Sequence, residues 1–145
     1  MNETPHGAGK SSFDLVDSQA LLRELEPLQG KTVLDLGCGY GDYSLALAKR
    51  VGPAGLIQAV DAWQEGLTEL RHRALAVEGA PVRTHIADAG RGLPLQENSV
   101  DLCLMAAVLH DIIQGGDHQV ALSEVARVLR PESTLAILEF RKMEG

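Results

Sequence analysis

The chain has 145 residues, and its 13 Lys and Arg against 20 Asp and Glu give a formal net charge of −7 with neutral histidines. This length is typical of one domain, and an apolar fraction of 45% suffices for one core without metal or disulfide cross-links. The acidic charge without a basic cluster argues against nucleic acid as a partner. The chain has neither an apolar run that would cross a membrane nor a signal sequence, so we predict a cytoplasmic protein.

Short apolar runs and segments of helical spacing alternate along the chain, and glycine and proline punctuate them. Residues 1–12 are small and polar, so we expect a flexible N-terminal arm ahead of a single domain at residues 13–145. The predicted elements are helices at 18–26, 44–51, 64–77 and 117–129, and strands at 32–36, 56–60, 82–87, 100–108 and 134–140.

The predicted strands are apolar almost throughout, which is typical of strands that are covered on both faces. Because they alternate with helices, they indicate an α/β fold, a Rossmann-like doubly wound parallel sheet of about five strands. In such sheets, ligands bind beyond the carboxyl ends of the strands, where the strand order reverses. We therefore expect the functional residues to follow the strands.

A glycine-rich turn, DLGCGYGD at residues 35–42, lies directly between a strand and a helix. Its glycines let the backbone turn tightly and approach a ligand without an intervening Cβ. A dinucleotide-binding turn reads G-x-G-x-x-G, whereas the spacing here is G-x-G-x-G. Asp35 and Asp42 flank the turn and would repel a pyrophosphate, so the pattern favours a cationic or zwitterionic ligand.

Two further carboxylates close the next strands. Asp61 lies about 20 residues beyond the turn, where a carboxylate accepts hydrogen bonds from both hydroxyls of a ribose. Asp88 would accept from the exocyclic amine of a purine, with Ala87 and Ala89 small enough to admit the ring. The alternative for either carboxylate is a solvated strand end or a helix cap.

Together these segments resemble the class I S-adenosylmethionine-dependent methyltransferases over residues 33–140. The matching segments are VLDLGCGYG at 33–41, Asp61, ADA at 87–89, LPLQENSVD at 93–101 and RVLRP at 127–131. The stretch at 93–101, together with VLHD at 108–111, is similar to the quinone-biosynthesis (menaquinone/ubiquinone) subgroup of that family.

The resemblance implies S-adenosylmethionine as the cofactor, with its methionyl part on the glycine turn, its ribose on Asp61 and its adenine amino group on Asp88. Ala62 or Trp63 would line the adenine face, although Trp63 equally suits a surface position at a helix start. The cofactor-binding residues that it implies follow the first four strands: Asp35, Gly37, Cys38, Gly39, Asp61, Ala62, Trp63, Ala87, Asp88, Ala89 and Met105.

The expected reaction is methyl transfer by in-line displacement, in which an enzyme mainly positions and desolvates its reactants. No (Asp/Asn)-Pro-Pro-(Tyr/Phe) motif follows the fourth strand, so we expect a small-molecule acceptor. His110 is a candidate base, and Asp111 would orient it or cap the following turn. The alternatives are a non-catalytic module that binds S-adenosylmethionine or S-adenosylhomocysteine, and a nicotinamide-dependent oxidoreductase.

Metal and disulfide chemistry are not expected. Cys38 and Cys103 lie in apolar contexts without a C-x-x-C spacing, so we expect two buried thiols. The histidines show no ligand spacing with one another or with the cysteines, so we predict no metal site.

Family members usually continue with a helix and an antiparallel strand pair, which we expect this chain to lack. The turn RPES at 130–133 would then lead into a fifth strand with an exposed edge. Exposed apolar edges pair with other chains, so we predict either a homo-oligomer through 134–140 or a covering segment.

Overall fold

Helices and strands alternate in the computed structural model, which describes residue 13, residues 17–106 and residues 118–139. The predicted arm, residues 1–12, lies outside these residues. The described elements are α1 (Ser18–Glu24), β1 (Thr32–Leu36), α2 (Asp42–Val51), β2 (Leu56–Asp61), α3 (Gln64–Ala74), β3 (Val82–Ile86), β4 (Val100–Ala106), α4 (His118–Val128) and β5 (Leu129–Leu138).

The five strands form one parallel sheet in the order β3-β2-β1-β4-β5. Val33, in the middle of β1, pairs with Ile57 of β2 on one side and with Leu102 of β4 on the other. The chain moves outward from β1 to β3 and then returns to the other side of β1. The predicted fold class is therefore confirmed, and the strand order reverses between β1 and β4.

The helices cover both faces of the sheet because right-handed crossovers in opposite directions place them on opposite sides. Val33 and Ile57 pack beneath α1 and α2, together with Leu47. A further cluster joins α2 to α3 through Ala59 and neighbouring leucines. On the other face, residues of β1 and β4 pack beneath α4, whose buried side chains are Ala121, Val125 and Val128.

Most element boundaries lie within two or three residues of the predicted ones. Helix α2 begins at Asp42, two residues early, because Gly41 supplies the left-handed N-cap and the carboxylate favours the first turn. Helix α3 ends at Ala74, but Ala76 and Val77 continue it through hydrogen bonds to the third residue before each of them. Strand β4 is described to Ala106, so the predicted residues 107 and 108 lie outside the described part.

The prediction for β5 was wrong at its start, because the strand begins at Leu129 rather than at Thr134. Val100 pairs with Leu129 and Leu102 with Thr134, so three extra residues of β5 bulge out of the ladder. Glu132 has a φ of +64° within this bulge. The expected turn at 130–133 is thus a bulge inside a strand.

Both cysteines are buried free thiols, as predicted. Burial raises the pKa of each thiol far above its ordinary value, so both are protonated at neutral pH. Over the described ranges, no helix has the length and apolar character needed to cross a membrane.

Leu47→Ala tests the packing of α2 on the sheet. Leu47 is fully buried, so we expect the substitution to lower the free energy of unfolding by about 2–5 kcal/mol through lost burial and a cavity. Leu75→Ala is the matched control, since 85% of Leu75 is exposed, and it should change stability by less than ~0.5 kcal/mol. Urea denaturation measures both, and equal losses would contradict the assignment of the core.

Candidate functional site

The turn after β1, residues 37–41, depends on glycine at two positions for different reasons. Gly39 has a φ of +56°, and a Cβ built on it would meet no atom within 4 Å, so open space lies beside it. Gly41 has a φ of +96°, and its added Cβ would lie 2.1 Å from Cδ1 of Leu70. The turn therefore packs tightly on α3 at one end and leaves its backbone open in the middle.

Backbone hydrogen bonds fasten this turn to the end of β2. The N–H groups of Gly37 and Cys38 both donate to the carbonyl of Val60, at 2.8 and 3.1 Å. The Cys38 side chain is buried in the cluster between α2 and α3, and its Sγ donates to the carbonyl of Gly39 at 3.6 Å. The glycine turn and the end of β2 thus form one connected unit.

Asp61, the last residue of β2, completes that connection with its side chain. Its Oδ2 accepts from the N–H of Gly39 at 2.7 Å, and its Oδ1 accepts from the N–H of Trp63 at 2.9 Å. A carboxylate offers about four lone-pair positions, so both oxygens retain capacity for donors of a ligand. The half-buried carboxylate of Asp61 therefore joins the glycine turn to the start of α3.

Asp35 lies buried in β1, with 2% of its surface exposed, and accepts a 2.6 Å hydrogen bond from the hydroxyl of Ser44 on α2. Burial raises the pKa of the Asp35 carboxyl to about 7, and the charge of Asp61 adds to the rise, whereas the Ser44 hydrogen bond opposes it. Asp35 is therefore partly protonated near neutral pH.

Asp42, at the start of α2, is paired with Arg73 of α3. Nη1 of Arg73 lies 3.1 Å from Oδ1 of Asp42 and also donates to the carbonyl of Tyr40 at 2.9 Å. The guanidinium lies 5.9 Å from the centroid of the Tyr40 ring. The negative charges that flank the turn are thus both reduced: that of Asp42 by pairing with Arg73, and that of Asp35 by partial protonation.

The residues after β3 adjoin the same edge of the sheet. The N–H of Ala87 donates to the carbonyl of Asp61 at 3.0 Å, which joins the ends of β2 and β3. Asp88 is exposed, and its Oδ1 accepts from the N–H of Gly90 at 2.9 Å, so it caps the short 3₁₀ turn Ala89–Arg91. Its Oδ2 has no hydrogen-bond partner among the described residues. The next residue, Ala89, is buried.

Trp63 is held against the glycine turn. Its ring lies 5.9 Å from that of Tyr40 in an edge-to-face arrangement. A Cβ on Gly66 would lie 2.4 Å from Cε3 of the indole and 3.0 Å from the carbonyl of Gly39, so only glycine fits there. The neighbouring Ala62 is exposed, whereas Met105 of β4 is fully buried in the cluster beneath α4.

The two catalytic candidates, His110 and Asp111, lie outside the described residues, so their roles stay predictions. In the rest of the chain that the structure covers, there is no group of three or more His, Cys, Asp or Glu residues that could hold a metal ion. The structure brings together the predicted residues that follow β1, β2 and β3, and places Met105 in the core below them.

Sequence reasoning did not identify Ser44, Gly66 or Arg73. Gly66 did leave a signal, because a glycine inside a helix costs about 1 kcal/mol relative to alanine and indicates a close approach. Ser44 and Arg73 act through contacts that span 9 and 31 or more residues, and their sequence neighbourhoods carry no corresponding pattern.

Comparison with known proteins adds to this geometry. A family model described as "Methyltransferase domain" matches residues 33–132. A 2-phytyl-1,4-naphtoquinone methyltransferase of Trichormus variabilis is 35% identical over 113 residues, which cover 78% of this chain and 48% of the relative. A demethylmenaquinone methyltransferase of Staphylococcus aureus is 31% identical over 119 residues, covering 82% and 47%. The chain spans about half the length of these curated relatives.

Among solved structures, a SAM-dependent methyltransferase from Aquifex aeolicus superposes with a TM-score of 0.80 at 31% identity. The match covers 93% of this chain and 70% of that one. The structural similarity therefore extends over nearly the whole of this chain.

Asp35→Asn tests the buried carboxyl. Between roughly pH 4 and pH 7 the folded protein binds more protons at Asp35 than the unfolded chain does, because its pKa is raised from 3.8 to about 7. Its contribution to the free energy of unfolding therefore falls as pH rises through that range. We expect the stability of D35N relative to wild type to increase by a few kcal/mol from about pH 4 to pH 8.

Urea denaturation across this pH range measures the difference, and Asp17→Asn, at the exposed N-cap of α1, is the control. A stability difference between D35N and wild type that stays constant with pH would show that the carboxyl is ionised throughout the range.

Proposed function

The chain belongs to the S-adenosylmethionine-dependent methyltransferase family, and from this premise we propose that it transfers a methyl group to a small-molecule acceptor. Family membership confirms both the resemblance drawn from the motifs and S-adenosylmethionine as the cofactor, in preference to a nicotinamide. The observation that carries the proposal is the open backbone at Gly39, which follows β1 at the switch point of the sheet and donates its N–H to the carboxylate of Asp61.

The residues at the site fit such a cofactor. Open space beside Gly39 leaves room for a ligand against the turn, and Asp61 retains acceptor capacity for the two hydroxyls of a ribose. The free oxygen of Asp88 is available to an adenine amino group, and its other oxygen is occupied by the cap of Gly90. We assign the methionyl part to the backbone of Gly37, Cys38 and Gly39.

The remaining predicted residues have smaller parts in this arrangement. The exposed Ala62 and the indole of Trp63 would border the adenine, and the small side chains of Ala87 and Ala89 would leave space on its other side. Asp35 and Met105 are buried, so we assign them the support of the turn and of the end of β4 from below.

When bound, S-adenosylmethionine supplies a methyl group on a sulfonium sulfur, to which the C–S electron pair returns as the acceptor takes the carbon. The chain's own task is to hold the two reactants in line and to exclude water, which is worth roughly 7–11 kcal/mol of the barrier in well-oriented reactions. Where the acceptor atom bears a proton, we propose that His110 removes it and that Asp111 orients the imidazole.

For the acceptor, we propose a quinone-type ring. Two features support this choice: the similarity of residues 93–101 and 108–111 to the quinone-biosynthesis subgroup, and relatives whose names specify a naphthoquinone and demethylmenaquinone. A cytoplasmic location accompanies this proposal and rests on the sequence alone.

Methyl transfer from tritiated S-adenosylmethionine to reduced 2-substituted 1,4-naphthoquinones tests the proposal. We expect label in the quinone fraction and binding of S-adenosylhomocysteine by calorimetry. Asp61→Ala should weaken that binding by about 1–3 kcal/mol, because the ribose loses its acceptor and the turn loses its bond at Gly39.

Asp17→Ala is the matched control, since Asp17 also accepts a backbone N–H, from Ala20, but lies at α1. Binding of S-adenosylhomocysteine without transfer to any acceptor would favour the alternative, a non-catalytic binding module. Wild-type affinity in the Asp61→Ala variant would remove this carboxylate from the site.

We also propose that two copies of the chain associate through β5. Among the described residues β5 pairs only with β4, and Leu135 and Ile137 are 40% and 45% exposed on the face that α4 covers in part. An apolar edge strand with free backbone groups pairs readily with a second strand.

Light scattering coupled to gel filtration tests this association at micromolar concentrations. We expect a dimer for the wild type and a monomer for Ile137→Lys, because a charge at the paired edge opposes burial. Leu75→Lys places the same charge on an exposed leucine of the segment after α3 and should leave the dimer intact. A monomeric wild type would overturn the proposal.

A further inference from the structure

Arg73 occupies a position that connects α3 to the glycine turn from outside. It lies in the last turn of α3, and its side chain is 35% exposed. A single nitrogen, Nη1, donates both to the carbonyl of Tyr40 and to the carboxylate of Asp42. The guanidinium thus contacts the residues on both sides of Gly41.

We propose that Arg73 is a positioning residue, which holds residues 37–41 in the conformation that receives the methionyl part of S-adenosylmethionine. This inference rests on the proposed function. Arg73 lies outside the sequence motifs that resemble the family. It also lies away from the edge of the sheet where the ligand-facing groups are.

The turn needs such a restraint because its glycines make it intrinsically mobile. Gly39 and Gly41 adopt positive φ angles that glycine reaches without strain, and each glycine has more conformational freedom to lose than any other residue. Side chains outside the turn bond to it from two sides: Asp61 bonds to Gly39 from one side, and Arg73 bonds to Tyr40 from the other.

The chemistry of arginine matches this place. Its planar guanidinium donates to a carbonyl and a carboxylate and at the same time lies over an aromatic ring, a combination that the rounded ammonium of lysine reproduces only in part. The Tyr40 ring beneath it packs in turn against Trp63. Arg73 therefore fixes the backbone of Tyr40. Through the Tyr40 ring, it also fixes the position of the Trp63 indole.

A turn that is already ordered loses less entropy when a ligand binds, so its affinity is higher. Removal of Arg73 should therefore raise the dissociation constant of the cofactor. Turnover at saturating cofactor should change little, because the described side-chain bonds of Arg73 go to Tyr40 and Asp42, which we do not assign to proton removal or to acceptor binding.

Calorimetry with S-adenosylhomocysteine on the full chain tests the proposal. We expect Arg73→Ala to raise the dissociation constant about 5- to 30-fold, less than the loss of a charged hydrogen bond to the ligand itself would cause, because Arg73 is partly exposed and acts through the turn. Arg73→Lys should restore part of the affinity through its charge beside Asp42. In steady-state kinetics, KM for S-adenosylmethionine should rise in parallel, while kcat stays within about twofold.

Arg50→Ala is the matched control. Arg50 and Arg73 both line a cavity of about 540 Å³ between α1, α2 and α3, but Arg50 is paired with Glu26 and Gln19, away from the turn. Its removal should leave the dissociation constant unchanged. If Arg50→Ala and Arg73→Ala weaken binding equally, the effect is one of charge or general stability, and the proposal is overturned.

Salt distinguishes a positioning role from long-range attraction. Screening at 0.5 M NaCl, where the Debye length is only about 4 Å, should leave the difference between wild type and Arg73→Ala in place. A difference that vanishes at this concentration overturns the positioning role.

The fluorescence of Trp63, the single tryptophan of the chain, gives a readout without ligand. Its emission maximum should shift in Arg73→Ala and return towards the wild-type value in Arg73→Lys, even if the alanine variant binds too weakly for calorimetry. Wild-type affinity together with an unchanged emission maximum would overturn the proposal. A wild type that binds no S-adenosylhomocysteine would instead overturn the proposed function.

Discussion

The site depends on one carboxylate that bonds to two backbone N–H groups from different parts of the chain. Asp61 ends β2, and through it the turn after β1 and the start of α3 take up fixed positions relative to each other. A parallel sheet brings these segments to one edge, but it does not determine their separation. The carboxylate does so, because the bond to Gly39 is short and charge-assisted. The open backbone of the turn is therefore held beside an acceptor that still has lone pairs to offer.

The alternation of apolar strands and helices in the sequence was enough to predict a doubly wound parallel sheet. That fold in turn predicted a site at the carboxyl ends of the strands. The glycine turn and Asp61 were recognisable because the cofactor contacts proposed for them require a fixed spacing within one βαβ unit. Arg73 and Ser44 were not, since each meets its partner only after the helices pack. The bulge in β5 was also missed, because arginine, proline, glutamate and serine are as typical of a turn as of an irregular strand.

Electrostatics at the turn differs from what a count of charges predicts. Asp35 and Asp42 read as two full negative charges that would repel a pyrophosphate. In the fold, burial of Asp35 raises its pKa to about 7, and Asp42 is paired with Arg73. The repulsion is therefore weaker than the sequence indicated, and the distinction from a nicotinamide-binding protein rests on family membership and on the spacing of the glycines.

The bulge at the start of β5 limits how the sheet can grow. Its three extra residues interrupt the regular ladder, and Pro131 within it has no N–H to donate. Among the described residues of β5, the stretch from Thr134 to Leu138 is the part that continues the regular ladder with β4. In the dimer that we propose, a two-fold pair of these edges would occupy both of them, so assembly through this strand would close at two copies and would not propagate into fibres.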